Sequence, residues 1–436
     1  MTFGLERIDG EPLPLVTYEN TITTVEATAG IIALEADGTF LASTTFLTTP
    51  RHGAATETTF TSGTYAWTDA TLHLSYVDGT TDQGVLDGAL LTLASGGSTF
   101  EFRRLEAPFE LAAAYTFPDL AGDDFIQRFA FTGDGTLWVT SFGGSIVRVR
   151  SGKTTVWDAA TDLGGERASG PFVDHADRVW IALGNGYAVH DGQSWTRFDA
   201  PAALTPGTSI GHVAVSGAGD VLLAAGHEGV GGLLLRTAGG WMALTPDNSL
   251  LPNHVTRSVA VDPAGDFWVA SARTSRPGGL SRISGGVLVE VFDAEAGLLT
   301  DGAETIAVGG GGVVVGFDDF LHPEPGADGG IQVIPTGGGP VTSWFPAVTG
   351  LTSSRVHSLA VTDAGDIWFV TTLDEAQPTC ATCFSGIGRL DAAGAFEVVS
   401  ALNSDVPPNG YFAGIASDPS GVVYVGTERE IYRVVR

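Results

Sequence analysis

One phrase recurs along this chain and narrows what it can fold into. It reads Ala260-Val261-Asp262-Pro263-Ala264-Gly265-Asp266-Phe267-Trp268, and again Ala360-Val361-Thr362-Asp363-Ala364-Gly365-Asp366-Ile367-Trp368. Weaker copies end at Trp138, Trp180, Leu222, Val314 and Tyr424, so the seven anchors are spaced by 42, 42, 46, 46, 54 and 56 residues. Each copy is an apolar run, a turn carrying Asp or Thr and then Gly, and a second apolar run that bears the anchor. Strand-like units repeating every 40–50 residues or so are the mark of a β-propeller, whose blades bury their faces on one another. The 60 glycines suit many tight turns between short strands, because glycine reaches positive φ without a Cβ clash. The fold class expected is all-β.

The first copy starts only near residue 126, and residues 1–105 do not share the repeat. They alternate apolar and polar residues between turn signals, as in Gly30-Ile31-Ile32-Ala33-Leu34, then Ala36-Asp37-Gly38-Thr39-Phe40, Gly63-Thr64-Tyr65-Ala66-Trp67 and Phe100-Glu101-Phe102-Arg103-Arg104. A meander of hairpins follows from that pattern. Its order, with Leu5 to Pro14 at the opening and Phe102-Arg103-Arg104 at the end, resembles small lipocalin-like barrels found ahead of other domains in secreted bacterial proteins. The resemblance implies a closed barrel, filled by side chains, over 1–105.

Residues 106–436 are expected to form the propeller. In each unit an apolar inner strand is followed by the anchor strand, a Gly-led third strand such as Gly278-Gly279-Leu280-Ser281-Arg282, and a fourth such as Leu288-Val289-Glu290-Val291-Phe292. The last unit ends at Arg436 after three strands. A fourth is available upstream of the first unit, in Leu111-Ala112-Ala113-Ala114-Tyr115-Thr116, so residues about 109–118 are expected to close a seven-bladed ring. The anchor tryptophans recur at one place per blade and are expected in the core. Burying an indole removes about 150–250 Å² from water, at most roughly 4–6 kcal/mol at ~25 cal/mol per Å². The Asp of the turn is expected to cap it and the Gly to take positive φ. Asn253, His254 and His175 are expected as surface polar residues in turns.

Charge limits the partners. Net charge is 21 − 50 = −29, with no basic block, which disfavours nucleic acid and anionic membrane surfaces. No apolar run approaches the ~20 residues of a membrane-spanning helix. Met1-Thr2 leads straight into strand-like Phe3-Gly4-Leu5-Glu6-Arg7, so any secretion signal is expected outside this sequence. Cys380 and Cys383 are the only cysteines. Four ligands would be needed for a closed zinc site, and no βαβ unit surrounds them, so a disulfide stapling an inserted loop is expected, with a redox pair as the alternative. That pairing argues for an oxidising, extracytoplasmic compartment: periplasmic, surface-anchored or secreted.

The residues just before each inner strand are expected to crowd around one mouth of the channel. Counting two or three places before the residue opposite the anchor gives Gln127 and Arg128, Ser169, His212, Arg257, Glu304, His357, and finally Phe412 and Ala413. Glu304 suits a divalent ion such as Mg or Ca, His357 a proton transfer, and Arg257 a carboxylate or oxyanion.

The unit running from Gly350-Leu351 through Val356 and Ala360-Val361 to Trp368 resembles the repeat of two-component-regulator-type propellers and, more distantly, of the streptogramin lyases. The resemblance covers about three quarters of the chain. It implies a seven-bladed fold and, for the lyases, a Glu and His residues with magnesium near the channel mouth; by blade position these would be Glu304 and His357. One scaffold hosts binding modules, lyases and hydrolases alike. The expectation is a monomeric extracytoplasmic recognition or scaffold protein that takes a protein, glycan or small molecule, uses no cofactor and catalyses nothing. The alternative is a metal-assisted lyase or hydrolase at the rim of Glu304 and His357, and sensor input to a signalling chain is a third reading.

Overall fold

A computed structural model describes residues 2–19, 23–34, 38–50, 55–104, 109–117, 120, 124–201, 208–227, 230–274, 276–300, 302–309, 311–317, 330–336, 341–344, 355–371, 386–392, 394–400 and 412–436. All the regular structure described is β. Cys380 and Cys383 lie outside the described residues.

Strand Thr2–Ile8 pairs antiparallel with Ser98–Arg104 on one side and with Thr23–Leu34 on the other. Between those partners the chain meanders through Thr39–Pro50, Ala55–Thr68, Thr71–Tyr76, Thr81–Asp87 and Leu90–Ser95, each hydrogen-bonded to the next. A meander whose first strand joins both ends is a closed barrel, here of eight strands, and closure removes the free edges. Alternation decides what points inward. Leu72 and Leu74, and Leu91 and Leu93, enter a core with Phe3, Ile32, Phe40 and Phe102. A barrel of eight strands is about the size that side chains fill.

Seven four-stranded antiparallel sheets make up the rest. Their inner strands are Ile126–Phe131, Ser169–Val173, His212–Val215, Thr256–Val261, Ala303–Gly309, Val356–Val361 and Gly414–Ser417. Each inner strand contacts the next, and the seventh contacts the first, so the blades ring an axis. The seventh sheet is completed by Glu110–Thr116, which lies antiparallel to Glu430–Val435. Phe109, just before it, is buried against Trp368 with ring centroids 5.1 Å apart.

Trp138, Trp180, Trp268 and Trp368 are 2–4% exposed and pack in the clusters that join blades. The turn Asp does more than cap. Asp262 accepts from Ala264 N and Asp266 N at 2.9 Å through Oδ1, and its Oδ2 accepts from the indole Nε1 of Trp268 at 3.0 Å. Asp174 repeats this with Trp180 at 2.8 Å, and Asp418 receives the Tyr424 hydroxyl at 3.3 Å. In the fourth and sixth blades the second acid of the turn holds a third-strand arginine over the anchor ring. Arg282 bonds Asp266 at 2.9 Å and Arg389 bonds Asp366 at 3.0 Å, each guanidinium carbon 5.8 Å from its indole centroid. The turn, the anchor and the third strand thus form one bonded unit. Gly265 takes the φ of +90° that the turn requires.

Asn253 and His254 depart from expectation, since both are buried. Asn253 Nδ2 donates to Thr274 Oγ1 and to Arg276 O, each at 3.0 Å, and His254 Nδ1 lies 2.8 Å from Gly231 O. Asn253 ties the loop after its own blade's anchor strand and His254 a carbonyl of the third blade, and buried polar groups of this kind demand polar partners.

Candidate functional site

Sequence counting placed the candidate residues near one end of the inner strands, and a shared backbone irregularity gives that placement a cause. In five blades one residue of the inner strand has no opposite number on the anchor strand. In the second blade the irregularity falls at Gly170-Pro171, between Ser169, which faces Ala182, and Phe172, which faces Trp180. The first, fourth, fifth and sixth blades share another pattern. Ile126 and Arg128 face Ser141 and Thr140; Thr256 and Ser258 face Ser271 and Ala270; Ala303 and Thr305 face Phe317 and Gly316; Val356 and Ser358 face Thr371 and Val370. The extra residues are Gln127, Arg257, Glu304 and His357. A bulge of this kind re-aims one side chain and ends the regular ladder. The residue after the bulge keeps to the blade interface: Ser258 Oγ accepts from Ile306 N, and Ser358 Oγ from Ile415 N, both at 3.3 Å. In the fourth, fifth and sixth blades the bulges thus set Arg257, Glu304 and His357 at equivalent places on neighbouring inner strands.

Contacts also cross the ring. Arg128, from the first blade, reaches the carbonyl of Arg257 in the fourth at 3.5 Å, spanning the channel between blades as far apart as a ring of seven permits. Arg257 Nε lies 3.3 Å from Glu304 Oε2 in the adjacent blade. His212 starts the third inner strand, opposite Ala224, without a bulge; Gly211 holds the place equivalent to Arg257. Burial, then Arg128, Arg257 and Arg167, hold the His212 imidazole well below its ordinary value. His357 is brought down to about 4 by burial, then by Arg128, Arg355 and Arg257. Both rings are half-buried and neutral at neutral pH, and the charges acting on them are arginines.

Other candidates fall elsewhere. Ser169 is buried opposite Ala182, below the exposed Arg167. Gln127 Oε1 is buried with no hydrogen-bond partner among the described residues. Phe412 and Ala413 are 1% and 2% exposed and belong to the packing of the sixth, seventh and first blades, so they do not serve the mouth. Sequence counting missed Arg167 and Arg355. Each stands two residues before a candidate, in Arg167-Ala168-Ser169 and Arg355-Val356-His357, a spacing that in extended backbone returns to the same side.

Among the described residues no group of three His, Cys, Asp or Glu could hold a metal ion. Glu304 is engaged by Arg257, and several guanidinium groups nearby repel a divalent cation. Glu304 and His357 occupy equivalent bulges of neighbouring blades.

A cleft of about 160 Å³ lies over the turns of the first and second blades, lined by Asp134, Trp138, Arg148, Arg150, His190 and Asp191 among others. His190 there is 1% exposed, with ring centroids 4.8 Å from Trp138, 5.8 Å from Trp157 and 5.0 Å from Trp195. It is packed rather than presented.

No protein family and no curated protein matches the sequence. Solved structures do. The extracellular domain described as that of a hybrid two component system, BT3049 from B. thetaiotaomicron, is similar over 96% of this chain, at 13% identity and a TM-score of 0.56. Virginiamycin B lyase from Staphylococcus aureus is similar over 75% of this chain and 99% of its own, at 15% identity and a TM-score of 0.56. The likeness is one of fold. The chain spans 61% of the length of the BT3049 domain. The seven-bladed propeller is thus of the build seen in regulator ectodomains and in streptogramin B lyases.

Proposed function

We propose that this chain is an extracytoplasmic recognition protein whose propeller takes a small molecule at the channel mouth and does no chemistry on it. Residues 1–105 would be a lipocalin-like module in a monomer and 106–436 the sensing unit. The observation that carries the reading is the set of bulges at Arg257, Glu304 and His357 on neighbouring inner strands, with Arg128 reaching across to the Arg257 carbonyl. Bulges interrupt the ladder and need compensating contacts, so three at equivalent places on neighbouring blades fit a surface built for contact. The fold likeness to a regulator's extracellular domain supports both the sensing role and the compartment. The lyase reading gains nothing from the geometry, because Glu304 is ion-paired and His357 at about 4 is a weak base at neutral pH.

A small-molecule library screened by thermal shift tests this, with each hit repeated on Arg128→Ala and His357→Ala. Hits lost in both variants, and recovered chemically unchanged after long incubation, are the expected result. Hits indifferent to both variants would move the site elsewhere. Turnover that Glu304→Ala abolishes would replace recognition by catalysis.

A further inference from the structure

The first blade keeps an arginine that its counterparts neutralise, and lacks both of the acids that do so. In the fourth blade Arg282, opposite the anchor Trp268 on the third strand, bonds Asp266 of the turn through Nε at 2.9 Å and Nη2 at 2.8 Å. It also pairs with Glu290 across the sheet at 3.5 Å. In the sixth, Arg389 opposite Trp368 holds Asp366 and Glu397 at 2.8 to 3.0 Å. In the first, Arg148 stands opposite Trp138 in the same way, but threonines occupy both acid places: Thr136, two residues before the anchor, and Thr155 across the sheet. The Arg148 guanidinium carbon lies 5.7 Å from the Trp138 centroid and 5.2 Å from that of Trp157, and Nη2 donates to Thr155 Oγ1 at a long 3.4 Å. Its Nε is buried with no partner among the described residues. The adjoining rings of Trp195 and His190, 5.0 Å apart, are short of acceptors too. Trp195 Nε1 and His190 Nε2 are both buried and unbonded among the described residues. Nε2 carries the imidazole proton, because Nδ1 accepts from Gly192 N at 3.0 Å. At the place of the missing turn acid lies the cleft of about 160 Å³, lined by Thr136, Trp138, Arg148 and His190 among others.

We infer that this cleft is a further binding site, for a small α-amino or α-hydroxy acid whose carboxylate takes the place on Arg148 that Asp266 and Asp366 fill in the other blades. The inference stands apart from the channel mouth. The turn from Thr132 to Thr136 follows the inner strand Ile126–Phe131, at the opposite end from its bulge. A carboxylate suits the place because the planar guanidinium fork meets two of its oxygens at once. It is also an acceptor without donors, which is what a cluster of unbonded N–H groups lacks. The other lining residues decide what else the ligand bears. Asp134, held by Arg150 at 3.0 Å, lines the cleft together with Asp177 and Asp191. They and the net charge of −29 disfavour a second carboxylate, and they reward a hydroxyl or ammonium group beside the first.

Titration of the nitrogen-15-labelled protein, followed by its indole N–H resonances, tests the inference with L-alanine, L-lactate, propionate and lactamide as probes. Alanine against lactate separates amino from hydroxy acids. The expected result is saturable movement of the Trp138 or Trp195 resonance by alanine or lactate, several times weaker binding of propionate, and none of lactamide. Arg148→Gln should weaken the binding roughly tenfold or more by removing the fork. Thr136→Asp should weaken it as much for a different reason, by giving Arg148 a resident carboxylate, and should raise the urea midpoint. Near-UV circular dichroism of each variant separates lost binding from lost fold. Propionate or lactamide bound as well as lactate, binding indifferent to either variant, or silence from all four probes would overturn the inference. A midpoint lowered by Thr136→Asp would deny the equivalence of the blades on which it rests. None of these results bears on the channel mouth.

Discussion

Replacing Asp262 with Ala tests whether the repeat is held by its turn or by the bond from turn to anchor. The carboxylate is buried and accepts three hydrogen bonds, from Ala264 N, Asp266 N and Trp268 Nε1. Removing it strands a buried indole N–H and two turn amides. A buried donor left unsatisfied costs about 1–3 kcal/mol, and the turn amides regain some water, so the loss is expected at about 3–5 kcal/mol. Asp262→Asn separates the contributions. Its amide oxygen serves the two backbone donors, while its NH₂ faces the indole N–H and cannot accept from it, so about 1–3 kcal/mol is expected. Trp268→Phe removes the indole donor but also packing, which is why the pair belongs in a double-mutant cycle. Urea unfolding followed by tryptophan fluorescence suits the cycle, since eight of the nine tryptophans lie beyond residue 105 and report the propeller. A coupling energy of about 1.5–3 kcal/mol between Asp262→Asn and Trp268→Phe is expected for a bond to a charged acceptor. Coupling below about 0.5 kcal/mol would mean that Asp262 only caps its turn, and the bonded unit described here would fail.

Acid should weaken the propeller in two stages. His357 at about 4, and His212 and His190 lowered likewise by burial and neighbouring arginines, bind fewer protons folded than unfolded. Stability is therefore undiminished above the ordinary histidine value of about 6.5 and falls as the pH drops from there toward 4. Asp174 adds to the loss further down. Burial alone would raise it, but hydrogen bonds from Trp180, Arg178 and Ala176 outweigh burial and hold it below the usual carboxylate range. Urea midpoints at pH 7, 5.5 and 4.5 should decline steadily, and a flat series in the wild type would contradict the enclosed imidazoles. Gly388→Ala should destabilise the sixth blade by about 1–3 kcal/mol or more through overpacking, because a Cβ there would fall 1.7 Å from the ring of buried Phe369. Adding Phe369→Leu should recover part of that loss; a double variant weaker than the sum of the singles would point to a different obstruction.

The mouth was partly legible in the sequence, and the reason lies in particular residues. Arg257, Glu304 and His357 stand three places before Ala260, Ala307 and Ala360, the residues paired with the anchors, so counting along equivalent blades finds them. The same count misplaced Phe412 and Ala413, because the last blade's residues at that level turn into packing beside Phe129 and Trp368. Arg167 and Arg355 escaped it because they precede their inner strands, where no anchor fixes the register. Asn253 and His254 looked like turn residues and proved to be interior ties, Asn253 to the loop beyond its own blade's anchor strand and His254 to the third blade.

Periodicity alone determined the blade count and the buried anchors, because each follows from local alternation repeated at a fixed spacing. Tertiary structure alone decided which side chains meet. A bulge is defined only against its partner strand, and Arg128 reaches the carbonyl of Arg257 only once the blades curve around an axis. Side chains far apart in sequence, such as Arg257 and Glu304 with Nε and Oε2 3.3 Å apart, then meet.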